Sequence, residues 1–200
     1  FDELTESGAV RIQREICTER YIFNCHGSFY ELPTENAGGF AKIRPISSHQ
    51  LGISDFTSYR GLLVMTGIEP GVSNPHIIRS SDGKAAVWAG TIDDLWKLGK
   101  PTGKGGPWLE STVKAGVASD PYLFAGYDHK RLELSNKGSS KANFTVQLDP
   151  TGEGDWVNYQ QFELGANESK EHQFPDSCQA YWVRVISSAD TKATAQLEYR

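Results

Sequence analysis

The sequence predicts an all-β chain. Apolar, β-branched and aromatic runs recur along its length, and glycine, proline, asparagine and aspartate cut them every ~8–12 residues. No stretch of ~12 residues holds a clean helical period. In chain order the first runs are "RYIFNCHGSFYEL" (20–32), "AKIRPIS" (41–47), "GLLVMTGI" (61–68), "HIIRS" (76–80) and "KAAVWAG" (84–90). They continue with "PYLFAGY" (121–127), "KRLELSN" (130–136), "ANFTVQLD" (142–149), "WVNYQQFEL" (156–164), "AYWVRVIS" (180–187) and "ATAQLEYR" (193–200). Only "TIDDLWKLG" (91–99) reads as a single helical turn, with Asp93 and Asp94 at the end where the backbone dipole favours negative charge.

Two regions differ in rhythm. Over residues 1–120 the strands come in clusters with tight turns and long glycine-rich loops, a spacing that suits propeller-like blades. No exact repeat supports it, so that expectation rests on rhythm alone. Over residues 121–200 about seven strands follow closely, joined by polar hairpins such as "NKGSSK" and "DPTGEGD". That region is expected to be β-sandwich-like.

The 200 residues carry a net charge of −5, which argues against a nucleic-acid or anionic-membrane partner, since both require a basic footprint. No apolar run approaches the roughly 20 residues that span a bilayer. The chain opens at Phe1 without an initiator methionine and reads as a processed or excised piece, with a missing N-terminal segment as a possible partner. Cys17, Cys25 and Cys178 fit no zinc spacing. A Cys17–Cys25 bridge and three plain thiols both stay open. Asn143 and Asn167 begin glycosylation sequons, relevant only to a eukaryotic secretory protein.

Residues 90–108, "GTIDDLWKLGKPTGKGGPW", hold five glycines, three lysines and two tryptophans. A phosphate loop needs G-x-x-x-x-G-K-[ST] ahead of a helix. Here Gly99 lies only four positions before Gly103, Gly105 stands in place of the hydroxyl residue, and no helical pattern follows. The nucleotide reading is therefore rejected. Trp96 and Trp108, with Lys100 and the Asp93–Asp94 pair, suit a sugar site instead: indole packs on the C–H face of a ring while polar groups take its hydroxyls. The alternative is that the tryptophans are core anchors and the aspartates cap a turn. Upstream, "SSDGKAAVW" (80–88) approximates the S-x-D-x-G-x-T-W hairpin of sialidase-type propellers, a structural motif on either reading.

Further candidates lie in the first region. His26 sits beside a glycine in an otherwise apolar run, and positions 26, 28 and 30 of one strand would share a face, placing His26 with Tyr30. Such a pair offers proton transfer near neutral pH. Arg60, His76 and Arg79 would bind substrate, the arginines through paired hydrogen bonds to a carboxylate. For each residue taken singly, an ordinary structural side chain is the alternative. G-x-S-x-G and H-E-x-x-H are absent. No cofactor is expected; the one metal candidate is a calcium loop at Asp149, Thr151, Glu153 and Asp155, which lacks the acidic residue required at its twelfth position.

The stretches "NPHIIRSSDGKAAVWAGTIDDLWKLGKPTGKGGPW", "SDPYLFAGYD" and "YWVRV…ATAQLEY" resemble the C-terminal portion of bacterial β-propeller proteins of polysaccharide-degrading Bacteroidetes and Planctomycetes. The resemblance covers roughly residues 20–200. It implies relatedness to propeller glycoside hydrolases and polysaccharide lyases, and a secreted or periplasmic location. It assigns no catalytic residue. The resulting expectation is a carbohydrate-active protein acting on a complex, acidic polysaccharide as hydrolase or lyase. In that scheme His26 and Tyr30 transfer the proton and Asp93 and Asp94 are the alternative acid pair. The rivals are a non-catalytic glycan-binding module and a structural accessory domain.

Overall fold

The computed structural model describes residues 11–16, 20–49 and 51–200. Of these, 51% lie in strands and 7% in short 3-10 turns, and the four sheets are antiparallel and open. The chain divides into two units, 1–101 and 102–200.

The first unit holds two four-stranded sheets. β1 (Arg11–Ile16), β2 (Arg20–Cys25), β3 (Ser28–Glu31) and β4 (Arg44–Ser48) form a plain meander. β5 (Asp55–Tyr59), β6 (Leu62–Thr66), β7 (Ile77–Arg79) and β8 (Ala86–Gly90) pair in the order β5-β6-β8-β7. Alternation along β2, β3 and β6 puts Ile22, Phe29, Leu63 and Met65 on the buried faces. One core then joins the two sheets, with Phe29 and Phe56 edge to face at 5.6 Å and Trp88 fully enclosed.

The run 20–32, expected as one strand, is a hairpin. His26 (φ 47) and Gly27 (φ 76) occupy the left-handed pair of positions of a two-residue turn. Histidine is among the few side chains that adopt positive φ at modest cost, which is why the sequence did not announce the turn. Arg60 (φ 50) and Gly61 (φ 82) repeat the device between β5 and β6.

The second unit contains β9 (Gly103–Val113), β10 (Tyr122–Leu123), β11 (Lys130–Asn136), β12 (Ala142–Asp149), β13 (Val157–Leu164), β14 (Ser169–Gln173), β15 (Trp182–Ser187) and β16 (Thr191–Tyr199). Pairings are nested: β12 with β13, β11 with β14, β10 with β15 and β9 with β16. This is one long double-stranded ribbon centred on the β12–β13 hairpin. Contacts β11–β16 and β12–β15 stitch it into sheets β14-β11-β16-β9 and β10-β15-β12-β13. Both sheets contribute to one core that includes Trp108, Leu134, Phe144, Phe162, Val183 and Leu197.

The division falls near residue 101 rather than 120, because β9 belongs to the second unit. Its glycines had read as loop. Gly106 lies so close to β16 that a Cβ there would stand 2.1 Å from the Ala195 carbonyl oxygen, so the residue is a packing requirement and not a loop signal.

Candidate functional site

The helical turn read from the sequence exists: residues Ile92–Lys97 form a 3-10 turn directly after β8. Thr91 caps it in extended conformation, and Asp94 reaches back to the cap. Asp94 Oδ2 accepts the Thr91 backbone N–H and the Thr91 hydroxyl, each at 2.8 Å. Its Oδ1 accepts Lys97 Nζ at 2.8 Å. The Lys97 ammonium, followed by the two Thr91 donors, holds the Asp94 carboxyl well below the usual carboxylate range. A carboxylate so held stays ionised and is a poor proton donor.

His76 packs beside this group. Its ring centroid lies 5.0 Å from that of Trp88, Nδ1 is 3.2 Å from the Ala89 carbonyl oxygen, and Nε2 faces Asp94 Oδ1 at 4.0 Å. A carbonyl only accepts, so Nδ1 carries the proton. Asn74 Oδ1 accepts both the His76 backbone N–H at 3.0 Å and the Trp88 indole N–H at 3.1 Å.

The exposed side of the same turn is different in character. Trp96 is 44% exposed. The Arg20 guanidinium stands 5.7 Å from its ring centre, and Arg20 Nη1 lies 3.8 Å from Asp93 Oδ1. An indole, a guanidinium and a carboxylate thus meet at the surface, positioned by β2 and by the Asp94-locked turn. Arg20 was missed by the sequence reading. It opens β2, and only tertiary pairing brings it to Trp96.

The other predicted residues are dispersed. His26 is exposed on the β2–β3 turn, whereas Tyr30 pairs across from Phe23 further down the hairpin, their rings 6.0 Å apart. The expected shared strand face for His26 and Tyr30 is lost, because the turn interrupts the alternation. Arg60 lies over the Tyr59 ring at 5.4 Å on its own hairpin turn. Arg79 donates to the Val72 carbonyl at 2.6 Å and the Glu69 carbonyl at 3.4 Å, tying down the loop ahead of β7. Lys100 is exposed near the end of the first unit. Trp108 is only 7% exposed and meets Phe144 edge to face at 6.5 Å in the second unit's core. It is a core anchor, which corrects its expected role as a sugar platform.

The residues proposed for calcium form a turn organised by Asp149. Its Oδ1 accepts backbone N–H groups of Thr151 at 3.2 Å and Gly152 at 2.8 Å, and its Oδ2 accepts that of Gly154 at 2.8 Å. Burial pushes this carboxyl up, but the N–H donors outweigh it and the net displacement is downward. Both carboxylate oxygens thus serve to hold the turn closed through backbone N–H groups. Among the described residues no three His, Cys, Asp or Glu side chains are grouped to hold a metal ion. No helix among them is long and apolar enough to cross a membrane. Cys17 lies outside the described residues, and with it the choice between a bridge to buried Cys25 and plain thiols; Cys178 is a free thiol.

Comparison with protein-family models, curated proteins and solved structures gives no match for this chain. The resemblance to propeller polysaccharide-degrading proteins rests on the residues quoted for it.

Proposed function

We propose that this chain is a glycan-binding β-protein of a polysaccharide-processing system, with the turn Ile92–Lys97 as its contact point in the first unit. The observation that carries the reading is Trp96, presented to solvent with Arg20 and Asp93 at its edge. An exposed indole offers a C–H-binding face, while the guanidinium and carboxylate supply a donor and an acceptor for hydroxyls. On this reading the two sheets of the first unit are blade-like, the second unit is a sandwich wound as a jelly roll, and the protein works in the periplasm or outside the cell.

Binding is favoured over hydrolysis or elimination. Asp94 is committed to its cap, and the Nδ1 proton of His76 is held by the Ala89 carbonyl. His26, Tyr30, Arg60 and Arg79 belong to separate turns and strands. The test is an indole fluorescence titration with acidic and neutral oligosaccharides, using Trp96→Ala beside the parent. The expected result is a several-fold loss of affinity without a fall in melting temperature. Undiminished binding by the variant, or release of reducing ends or unsaturated uronate by the parent, would overturn it.

A further inference from the structure

The outer face of sheet β10-β15-β12-β13 carries a row of side chains that the core does not explain. Phe144, Val146 and Leu148 of β12 are buried, so Asn143, Thr145 and Gln147 turn outward. Register sets Arg184 of β15 on one side of Gln147 and Asn158 of β13 on the other. The three are joined: Arg184 Nε donates to Gln147 Oε1 at 2.7 Å, and Gln147 Nε2 donates to Asn158 Oδ1 at 2.8 Å. The Arg184 guanidinium lies 4.2 Å from the centre of the Trp156 ring. One step along the strands, Gln161 Nε2 reaches Thr145 Oγ1 at 3.4 Å.

The groups left over define a ligand. Arg131 and Arg44 each meet a carboxylate at 2.9 Å or less, and Arg14 does so at 2.9 Å. Arg184 has no carboxylate partner among the described residues. The indole and Gln147 hold its plane fixed, so its Nη edge is a pre-oriented fork for a planar anion. Beside it the Asn158 amide N–H groups donate to no protein group among the described residues. Neighbouring strands lie about 4.8 Å apart, a spacing comparable with the length of one pyranose unit. A nucleic-acid backbone would demand several cations, and this row holds one.

We propose that this face binds an oligosaccharide containing uronic acid. A uronate carboxylate pairs with the Arg184 Nη edge, and hydroxyls of the adjoining sugars exchange hydrogen bonds with Gln147, Asn158, Thr145 and Gln161. The site lies wholly in the second unit and is independent of Trp96.

The test is an NMR titration of the full chain with a galacturonate oligomer, a neutral galactose oligomer and polyglutamate. The Trp156 indole N–H, assigned with Trp156→Phe, is the reporter. Expected are a saturable shift with galacturonate only, weakened by salt, and an affinity lower by roughly ten-fold or more in Arg184→Gln, the size of a lost charge-assisted hydrogen bond. Trp96→Ala leaves that shift in place even if the first site fails. Gln147→Ala, which frees Arg184 without removing its charge, also weakens binding. Should Arg184→Gln not fold, the parent's reporter and Gln147→Ala decide. An unmoved reporter, equal binding of polyglutamate, or unchanged affinity in a folded Arg184→Gln would each overturn the proposal.

Discussion

At the scale of single residues, two tryptophans that look equivalent in sequence do opposite things. Trp108→Ala empties part of a closed core and is expected to cost about 3–5 kcal/mol. Trp96→Ala removes a partly exposed ring and should change stability by only about 0.5 kcal/mol. Denaturant unfolding of the two variants checks both figures, and equal losses would refute the distinction. His49 supplies a pH prediction. The Leu51 N–H donates to its Nδ1 at 3.3 Å, so Nε2 carries the proton and donates to Asn24 Oδ1 at 2.9 Å. Burial lowers its pKa to about 4 from 6.5. The folded form therefore binds fewer protons than the unfolded form between those values. Stability is complete above about pH 6.5, falls by up to about 3 kcal/mol as pH drops toward 4, and then levels off. Amide protection factors in β2 and β3, compared at pH 7 and 5, should show the loss, and His49→Gln should flatten it. None of this was legible in the sequence, where His49 follows two serines and gives no sign of burial. Long-range packing set its environment, just as it brought Arg20 to Trp96.

At the scale of elements, legibility tracked the kind of signal each strand emits. β12 and β15 alternate apolar and polar residues, and their positions were read almost to the residue. β14, "SKEHQ", has no apolar alternation because its side chains are largely exposed; backbone pairing with β11 makes it a strand. Polar side chains also fasten strand ends. Asn136 is fully buried at the end of β11. Its Nδ2 donates to the carbonyls of Ser140 at 2.8 Å and Gly165 at 2.9 Å, and its Oδ1 accepts from Gly138 N–H at 3.0 Å and Thr191 Oγ1 at 2.7 Å. Asn136→Ala leaves those groups without their partner, and a loss of about 2 kcal/mol or more is expected from chemical denaturation. Gly106→Ala attacks the β9–β16 pairing directly. Its Cβ would meet backbone, which cannot swing aside, so overpacking of about 1–3 kcal/mol should appear in the same assay.

At the scale of the molecule, the placement of β9 decides what the second unit is. The sequence divided the chain at residue 120 because hairpins become regular there, and seven strands, β10 to β16, do lie beyond that point. The nested pairing nevertheless needs an eighth strand: β9 is the ribbon partner of β16 and supplies Trp108 and Val113 to the core. Without it β16 becomes an open edge with unpaired backbone groups, a template for aggregation, and the core loses Trp108 and Val113. Residues 102–200 expressed alone are therefore expected to fold, giving a dispersed amide spectrum and a single cooperative unfolding transition. Residues 121–200 expressed alone should give a collapsed spectrum or precipitate. If the shorter piece folds as well as the longer one, β9 is an accessory strand and the boundary belongs at 120 after all. If neither folds, the second unit depends on the first, and the division near residue 101 describes packing density without describing an independent domain.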